Sequence, residues 1–516
     1  MNLDRRDFLA ALSGAAALSA LKIQADPRAA LDSAQISELA SDPRRPQFHL
    51  LAAANWMNDP NGLIYWNGSY HMFYQYNPKA ADWGNMHWGH AVSKDMVHWK
   101  NVPIALSPTP GGPDADGCWT GTALVQDGHV ALLYTGVQAA LEDEATIKNG
   151  ALSLRETQCV ASATDPDLKT WSKIQSPLIL APPRELDVNG FRDPSPWRMG
   201  DWWYTVIGSG VINRGGAILL YRSKDCRRWE YIRILIHRDW DGDGKFDPFD
   251  PQEVWERPEF FPLGDRYVLS YSAQGKAFWR SGKLDTEGMF FRVEQSGILD
   301  YGSFYAPKTQ LDESGNRIIW GWIQEARAPA EYRAAGWAGL MSLPRLLTLG
   351  IDGRIRISVA TQVDQLRGRE QSFGPNAAEG DQQQWIGSMG LKNCCGEIRC
   401  LARSVREFKL TLLGSAPSAT PWLTIKYDPL KTNRISIDSR SVPVLLSEHE
   451  DIDLHFYVDS SVIEVFVNGQ AALTKRFYYH GSISQDLHMQ WAGRTGDIVS
   501  LSAWPLTPIS PDRLTT

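Results

Sequence analysis

The chain is 516 residues long, enough for two domains that each bury a core of their own. A formal net charge of −7 gives no footing for nucleic acid or an anionic membrane surface as a partner. No internal stretch approaches the ~20 apolar residues of a membrane span, and the load of 43 Gly and 30 Pro fits a turn-rich, β-rich protein.

The N-terminus reads as an address. Asp4-Arg5-Arg6-Asp7-Phe8-Leu9 resembles a twin-arginine export signal, and a mildly apolar run follows to Leu21. Residues 1–25 are therefore expected to be a removable signal, cleaved near Ala20 or Ala25. Such a signal carries an already folded protein to the periplasm or exterior of a bacterial cell, with no membrane association beyond export.

Next comes Trp56-Met57-Asn58-Asp59-Pro60-Asn61-Gly62, set between His49-Leu50-Leu51 and the strand-like Leu63-Ile64-Tyr65-Trp66. Pro60 fixes one backbone angle and Asn61-Gly62 signals a tight turn, so Asp59 is held where a strand gives way, with an indole beside it. A pinned carboxylate beside an aromatic face suits sugar chemistry, although an Asx-Pro pair alone is more often a solvated turn. Further on, Asp95-Met96-Val97-His98-Trp99, Asp167-Leu168-Lys169-Thr170-Trp171 and Asp225-Cys226-Arg227-Arg228-Trp229 share an Asp-x-x-x-Trp pattern, each between strand-like runs. Repeats of this length built of short strands suggest propeller blades, with the Asp-to-Trp stretch as a hairpin on the outer part of each.

Two more acidic motifs follow: Phe191-Arg192-Asp193-Pro194 with Trp197 behind it, and Trp255-Glu256-Arg257-Pro258-Glu259-Phe260-Phe261. Retaining hydrolysis of a glycoside uses two carboxyl groups about 5 Å apart, one a nucleophile and the other an acid and then a base. Between these motifs, the run from Asp239 to Asp250 places acids at positions 1, 3, 5, 9 and 12 with Gly244 at position 6. That is the spacing of an EF-hand calcium loop with Asp in place of the usual final Glu, which makes Asp239, Asp241, Asp243, Lys245 (through its carbonyl), Asp247 and Asp250 a candidate structural Ca2+ set. The competing reading is a solvated acidic loop.

After Pro344 the strand-like runs continue, as in Leu410-Thr411-Leu412-Leu413 and Trp422-Leu423-Thr424-Ile425. Leu454 to Val467 alternates and then turns at Asn468-Gly469, a strong hairpin signal. No Cys-x-x-Cys pair exists, so a zinc site is unsupported. Cys394 or Cys395 could pair with Cys400 after export, and the remaining cysteines read as buried thiols.

Taken together and in this order, the three acidic motifs resemble glycoside hydrolase family 32, the β-fructofuranosidases (invertases, inulinases, levanases). Trp56 to Gly62 matches the family's first motif residue for residue, Arg192-Asp193-Pro194 matches its Arg-Asp-Pro motif, and Trp255 to Glu259 matches its Trp-Glu-Cys-Pro-Asp motif less completely, with Arg257 in place of Cys and Glu259 in place of Asp. Phe73 to Pro78 followed by Trp83 to His90, Gly117-Cys118-Trp119-Thr120-Gly121 (Thr120 for the usual Ser), Asp300-Tyr301-Gly302 and Gly336 to Arg345 are similar to its other blocks. The resemblance implies an all-β protein: a five-bladed β-propeller catalytic domain, placed at 45–350, then a linker at 351–378 and a C-terminal β-sandwich at 379–512. It implies that Asp59 attacks the anomeric carbon of a β-fructofuranosyl unit, and that Glu256 protonates the leaving oxygen and then activates water.

For the acid role Glu256 must hold a proton, which burial against Trp255 and the charge of Asp59 would favour. Asp193 would hold ring hydroxyls, kept ionised by Arg192. Asn58, Gln75, Trp83, Trp119, Thr120, Arg192 and Asp300 would line the fructose pocket. Glu253 and Glu259 are rivals of Glu256, decided against by the motif match, and a cation at Arg257 would act on Glu256 or reshape the leaving-group site. Asp459 and Glu464 read as structural. No cofactor is required for this chemistry; the partners are sucrose or a fructan, and the assembly a monomer or homodimer. A fructosyltransferase would use the same residues with a sugar as acceptor. A non-catalytic fructan-binding protein is opposed by the presence of all three acids.

Overall fold

The computed structural model describes residues 31–514 apart from 150–151, 239–252, 375–379, 381–383, 387–388, 415–419, 432, 448–449, 479–485 and 512–513. The candidate signal at 1–25 and the candidate calcium loop at 239–250 therefore lie outside the described residues.

Five antiparallel sheets follow one another along the first part of the chain. Their innermost strands are Asn55–Trp66, Gly117–Gln126, Val188–Met199, Glu256–Leu263 and Phe304–Leu311. Each touches the next in cyclic order and the last touches the first, closing a five-bladed propeller. The short strand Trp337–Ala338 pairs in parallel with Asn55 and Trp56 and ties the end of the propeller to its first blade. Burial falls from axis to rim. Asn55–Trp66 is nearly all buried, whereas the outer strand Phe290–Ile298 is mostly half-exposed, as expected when only inner strands are covered on both faces.

All five inner strands carry the same bulge. Met57 and Pro60 face Tyr76 and Tyr74, Cys118 and Gly121 face Gly136 and Tyr134, and Arg192 and Ser195 face Gly208 and Val206. Glu256 and Glu259 face Ser272 and Ser270, and Tyr305 and Lys308 face Trp322 and Trp320. Three steps on the inner strand thus oppose two on its partner, which breaks the ladder and re-aims side chains toward the axis. In the last three blades the first bulge residue (Asp193, Arg257, Ala306) adopts left-handed φ of 65°, 57° and 54°, a conformation that costs a non-glycine residue about 1–2 kcal/mol.

The Asp-x-x-x-Trp repeat is the hairpin between the third and fourth strands of the first three blades. Met96, Leu168 and Cys226 each take positive φ, and their carbonyls accept from the indoles of Trp99, Trp171 and Trp229. Asp95 and Asp225 cap the following backbone N–H groups, but in the second blade that task falls to Asp165 rather than Asp167.

The domain boundaries differ from the sequence expectation. Ile355–Val359 is the outermost strand of the fifth blade, and Gln371–Phe373 already pairs within the second domain. The connection is therefore shorter than 351–378, because its first residues continue the β-ladder. The second domain is a sandwich of two six-stranded sheets. Along Ile452–Asp459 and Val462–Val467 alternate side chains face two ways. Phe456, Val458, Ile463 and Val465 fill the sandwich core, while Tyr457 and Phe466 pack with Phe304, Ile319 and Leu343 of the propeller.

That contact also carries charge. Asp459 accepts from the backbone N–H groups of Gln47, Phe48 and His49 and pairs with the His49 ring at 2.8 Å; the other His49 nitrogen meets Glu464 at 3.0 Å. Arg345 joins Glu464 to Asp300. Asp459 and Glu464 are thus structural. The disulfide between Cys394 or Cys395 and Cys400 is not formed, since Cys395 and Cys400 are buried thiols on one strand, Cys395–Ala402. Five extended steps separate them by roughly 16 Å, far beyond the reach of a disulfide.

Candidate active site

The bulges gather the chemistry-bearing residues at one end of the propeller axis. In the first blade the Asn58 carboxamide oxygen accepts from the Trp56 indole at 2.8 Å, and Asp59 is 3 % exposed. Gly339 allows this approach: at its φ of +77° a side-chain carbon would stand 1.8 Å from the Met57 carbonyl oxygen. Gln75, on the neighbouring strand, donates to the Cys118 carbonyl of the second blade at 3.0 Å. Trp83 and Trp119 meet edge to face at 5.9 Å on a cluster that includes Trp56, Met86 and Tyr332. Thr120 is fully buried.

Two arginines cross-brace the acids. Arg192, beside Asp193, donates through Nε and Nη2 to Glu256 at 3.2 and 3.1 Å and through Nη1 to buried Glu156 at 2.9 Å, with its plane 5.7 Å from the Trp119 ring. Arg257, beside Glu256, reaches the other way. Its guanidinium contacts Asp59, its Nε lies 3.6 Å from Asp193, and its backbone N–H donates to Asp193 at 3.0 Å. Asp59, Asp193 and Glu256 are thereby brought to one floor from three blades. Tyr305 of the fifth blade completes the Glu256 environment, donating its hydroxyl to Oε2 at 2.7 Å.

Several expectations change. Trp255 does not cover Glu256: its ring stacks on Tyr271 at 4.3 Å over Gly216, where a side-chain carbon would stand 2.0 Å from the indole. The Glu256 side chain is 31 % exposed, between Arg192 and Tyr305. Arg192 is hydrogen-bonded to Glu256 and Glu156 rather than to Asp193, and its charge does not outweigh the burial of Asp193. Burial pushes the Asp193 carboxyl up to about 7, with Arg192 drawing it down and Glu256 adding to the rise. Arg257 faces Asp59 and Asp193 rather than Glu256. Burial moves its guanidinium below the ordinary range, yet arginine stays a cation in proteins and here two carboxylates face it.

Asp300 is not in the pocket. It is fully buried between the domains, accepting from Gly302, from the Thr474 backbone and hydroxyl, and from Arg345. The rivals are likewise placed elsewhere. Glu259 lies deeper along the axis beside Lys308, accepting from the Thr309 N–H, and Glu253 pairs with Arg238.

Sequence reasoning missed Tyr305, Trp322 and Glu156. The first had a signal: Arg192-Asp193-Pro194, Glu256-Arg257-Pro258 and Tyr305-Ala306-Pro307 are one x-x-Pro triplet at one bulge position in three successive blades. Asn61 Nδ2, Thr120 Oγ1 and Trp322 Nε1 are buried without a hydrogen-bond partner among the described residues. Trp322 meets Trp56 and Tyr305 edge to face. No group of three or more His, Cys, Asp or Glu side chains is placed to hold a metal ion among the described residues.

Comparison with known proteins covers most of the described chain. Residues 49–358 match the model of the glycosyl hydrolases family 32 N-terminal domain, and residues 362–505 that of the family's C-terminal domain. The chain is 33 % identical to a sucrose-6-phosphate hydrolase of Escherichia coli, covering 86 % of this chain and 91 % of that one. It is also 33 % identical to a raffinose invertase of Escherichia coli, over 90 % and 95 %. A Bombyx mori GH32 beta-fructofuranosidase superposes with a TM-score of 0.75 at 26 % identity, covering 93 % of this chain and 97 % of that one. A mutant of the Bombyx mori enzyme is known in complex with sucrose. A fructan 1-exohydrolase from Cichorium intybus superposes with a TM-score of 0.74 at 25 % identity, over 90 % and 98 %.

Proposed function

The chain belongs to glycosyl hydrolase family 32, and from that membership we propose that it releases fructose from β-D-fructofuranosides, sucrose or inulin- and levan-type fructans, with retention at the anomeric carbon. The family's chemistry needs no cofactor. Asp59 Oδ attacks the anomeric carbon while the bond to the leaving oxygen breaks, and Glu256 gives that oxygen its proton. Glu256 then takes a proton from water, whose oxygen displaces Asp59 and frees fructose. Asp193 holds ring hydroxyls, and Trp83 and Trp119 offer faces to the sugar. Asn61 Nδ2, Thr120 Oγ1 and Trp322 Nε1 are polar atoms that sugar hydroxyls would satisfy.

One observation carries the reading: Arg192 and Arg257 lock the three acids of separate blades into one site, with Tyr305 on Glu256. Relatives named for sucrose-6-phosphate and raffinose, with the sucrose complex of the Bombyx enzyme, support a fructoside substrate. Incubation of the protein lacking residues 1–25 with sucrose, inulin and levan, with fructose, glucose and oligomers quantified, tests it. Fructose release that Asp59→Asn abolishes is the expected result. Release from none of them would overturn it, and accumulating fructose oligomers would identify a transferase.

A further inference from the structure

We propose that the Arg257 guanidinium is the resident counter-ion of Asp59 in the free enzyme, and that an entering fructosyl group displaces it. The inference rests on the assignment of Asp59 as nucleophile. Its first ground is position. Asn58, Trp119, Asp193, Arg257 and Ala306 are the first bulge residues of the five inner strands, and Arg257 is the cation among them. Its left-handed φ of 57° aims the backbone N–H at Asp193 and the side chain across the axis, to Asp59 and, at 3.4 Å, to the Asn61 carboxamide oxygen.

The second ground is charge accounting around the floor. Arg192 is committed to Glu256 and Glu156. Lys308 donates to Thr122 and the Pro258 carbonyl and lies 3.8 Å from Glu259. Tyr305 is neutral, its hydroxyl held well above its ordinary range by burial and given to Glu256. Arg192 and Lys308 also act on Asp193 from a distance, but among the described ion pairs Arg257 is the cation in contact with Asp59. The guanidinium sits on Asp59 Oδ2 and spans from there to Asp193, the space a fructosyl ring held by both acids would occupy, so Oδ2 is open to the anomeric carbon only once the guanidinium has moved. The fructosyl hydroxyls would take the guanidinium's place beside Asp193 and its hydrogen bond to Asn61, while the Arg257 backbone N–H stays on Asp193.

The two pH profiles separate the states. That of kcat/KM reports groups in the free enzyme, and that of kcat reports groups in the substrate complex. Removing a cation beside a carboxylate raises the carboxylate's pKa, by about one unit or more at contact distance. In Arg257→Cys and in the volume-keeping Arg257→Met, the acid limb of kcat/KM on sucrose should therefore move to higher pH by about one unit, while the acid limb of kcat stays where it is. KM should fall, since no internal ion pair has to be broken. An unmoved kcat/KM limb in a folded variant, judged by an unchanged melting transition, would overturn the proposal. Equal movement of both limbs would also overturn it, because the arginine would then remain on Asp59 in the complex. Wild type inactive on sucrose, inulin and levan would instead defeat the assignment of function, which keeps the two failures distinct.

Discussion

The Tyr305 hydroxyl donates to the carboxylate of Glu256, and the acid–base role proposed for Glu256 would depend on that hydrogen bond directly. A hydrogen bond to a charged group is worth about 1.5–3 kcal/mol, so Tyr305→Phe should lower kcat/KM roughly ten- to a hundredfold with little change in melting temperature. A loss below threefold would show that Glu256 works without it. Of the residue-level site, the sequence made legible what stands in contiguous motifs: Asp59, Asp193, Glu256 and their aromatic neighbours. It could not show partnerships. Arg192 is adjacent to Asp193 in sequence yet serves Glu256, and Arg257 is adjacent to Glu256 yet serves Asp59, because a bulge turns successive side chains to different neighbours. Asp300 sits in a motif beside aromatics, but nothing local shows that its partners, Arg345 and Thr474, come from the far end of the propeller and from the sandwich.

The element on which the site depends is the bulged inner strand. Ala306 is fully buried at φ 54° with its N–H on Ser272 Oγ at 3.0 Å. Ala306→Gly should change stability by less than about 1 kcal/mol, since relief of the left-handed strain offsets the added unfolded-state freedom. Ala306→Val should cost about 2–3 kcal/mol, because a β-branched side chain in this conformation is an outlier in a packed core. Urea unfolding of the two variants tests this, and equal stability would mean that the bulge is not under strain. The outer hairpins were legible as a repeat because each spends an indole on a local carbonyl, a bond that fixes residue type at fixed spacing. The bulges have a sequence mark only in their prolines: the first blade carries its proline one position later, at Pro60, and the second blade has none.

At the scale of the whole molecule, propeller and sandwich are joined by buried charges, and stability should depend on them. Arg345→Met leaves Asp300 buried without its cation and Glu464 with His49 alone and should cost roughly 3–5 kcal/mol in urea unfolding. A loss under 1 kcal/mol would contradict the interface. The pH dependence has two limbs. His49, fully buried, has its pKa raised above 6.5 against the cost of burial by Asp459 and Glu464, so its contribution is complete below about 6.5 and lost as pH rises through the raised value. Glu464 is lowered below 4.5 against burial by Arg345 and His49, so its contribution is present above that value and lost as pH falls through the lowered one.

The melting temperature should therefore be highest at slightly acidic pH, and His49→Gln should remove much of the decline on the alkaline side. A decline of wild-type size in the variant would place its origin elsewhere. The acidic run 239–250 remains a proposal from spacing alone: chelation should lower the melting temperature if it binds calcium, and an unchanged transition would dismiss it. Propeller blades were legible from the repeat and a hairpin from Asn-Gly, while the number of blades and the sandwich came from the family resemblance; the interface network was not legible, since it joins His49 to residues more than four hundred positions away. The central claim is retention through a fructosyl group on Asp59. It is tested most directly by adding methanol to a sucrose digest and determining the anomeric configuration of the methyl fructoside by NMR. The β-anomer alone, absent with Asp59→Asn, is predicted; the α-anomer, or β-product undiminished in that variant, would contradict it.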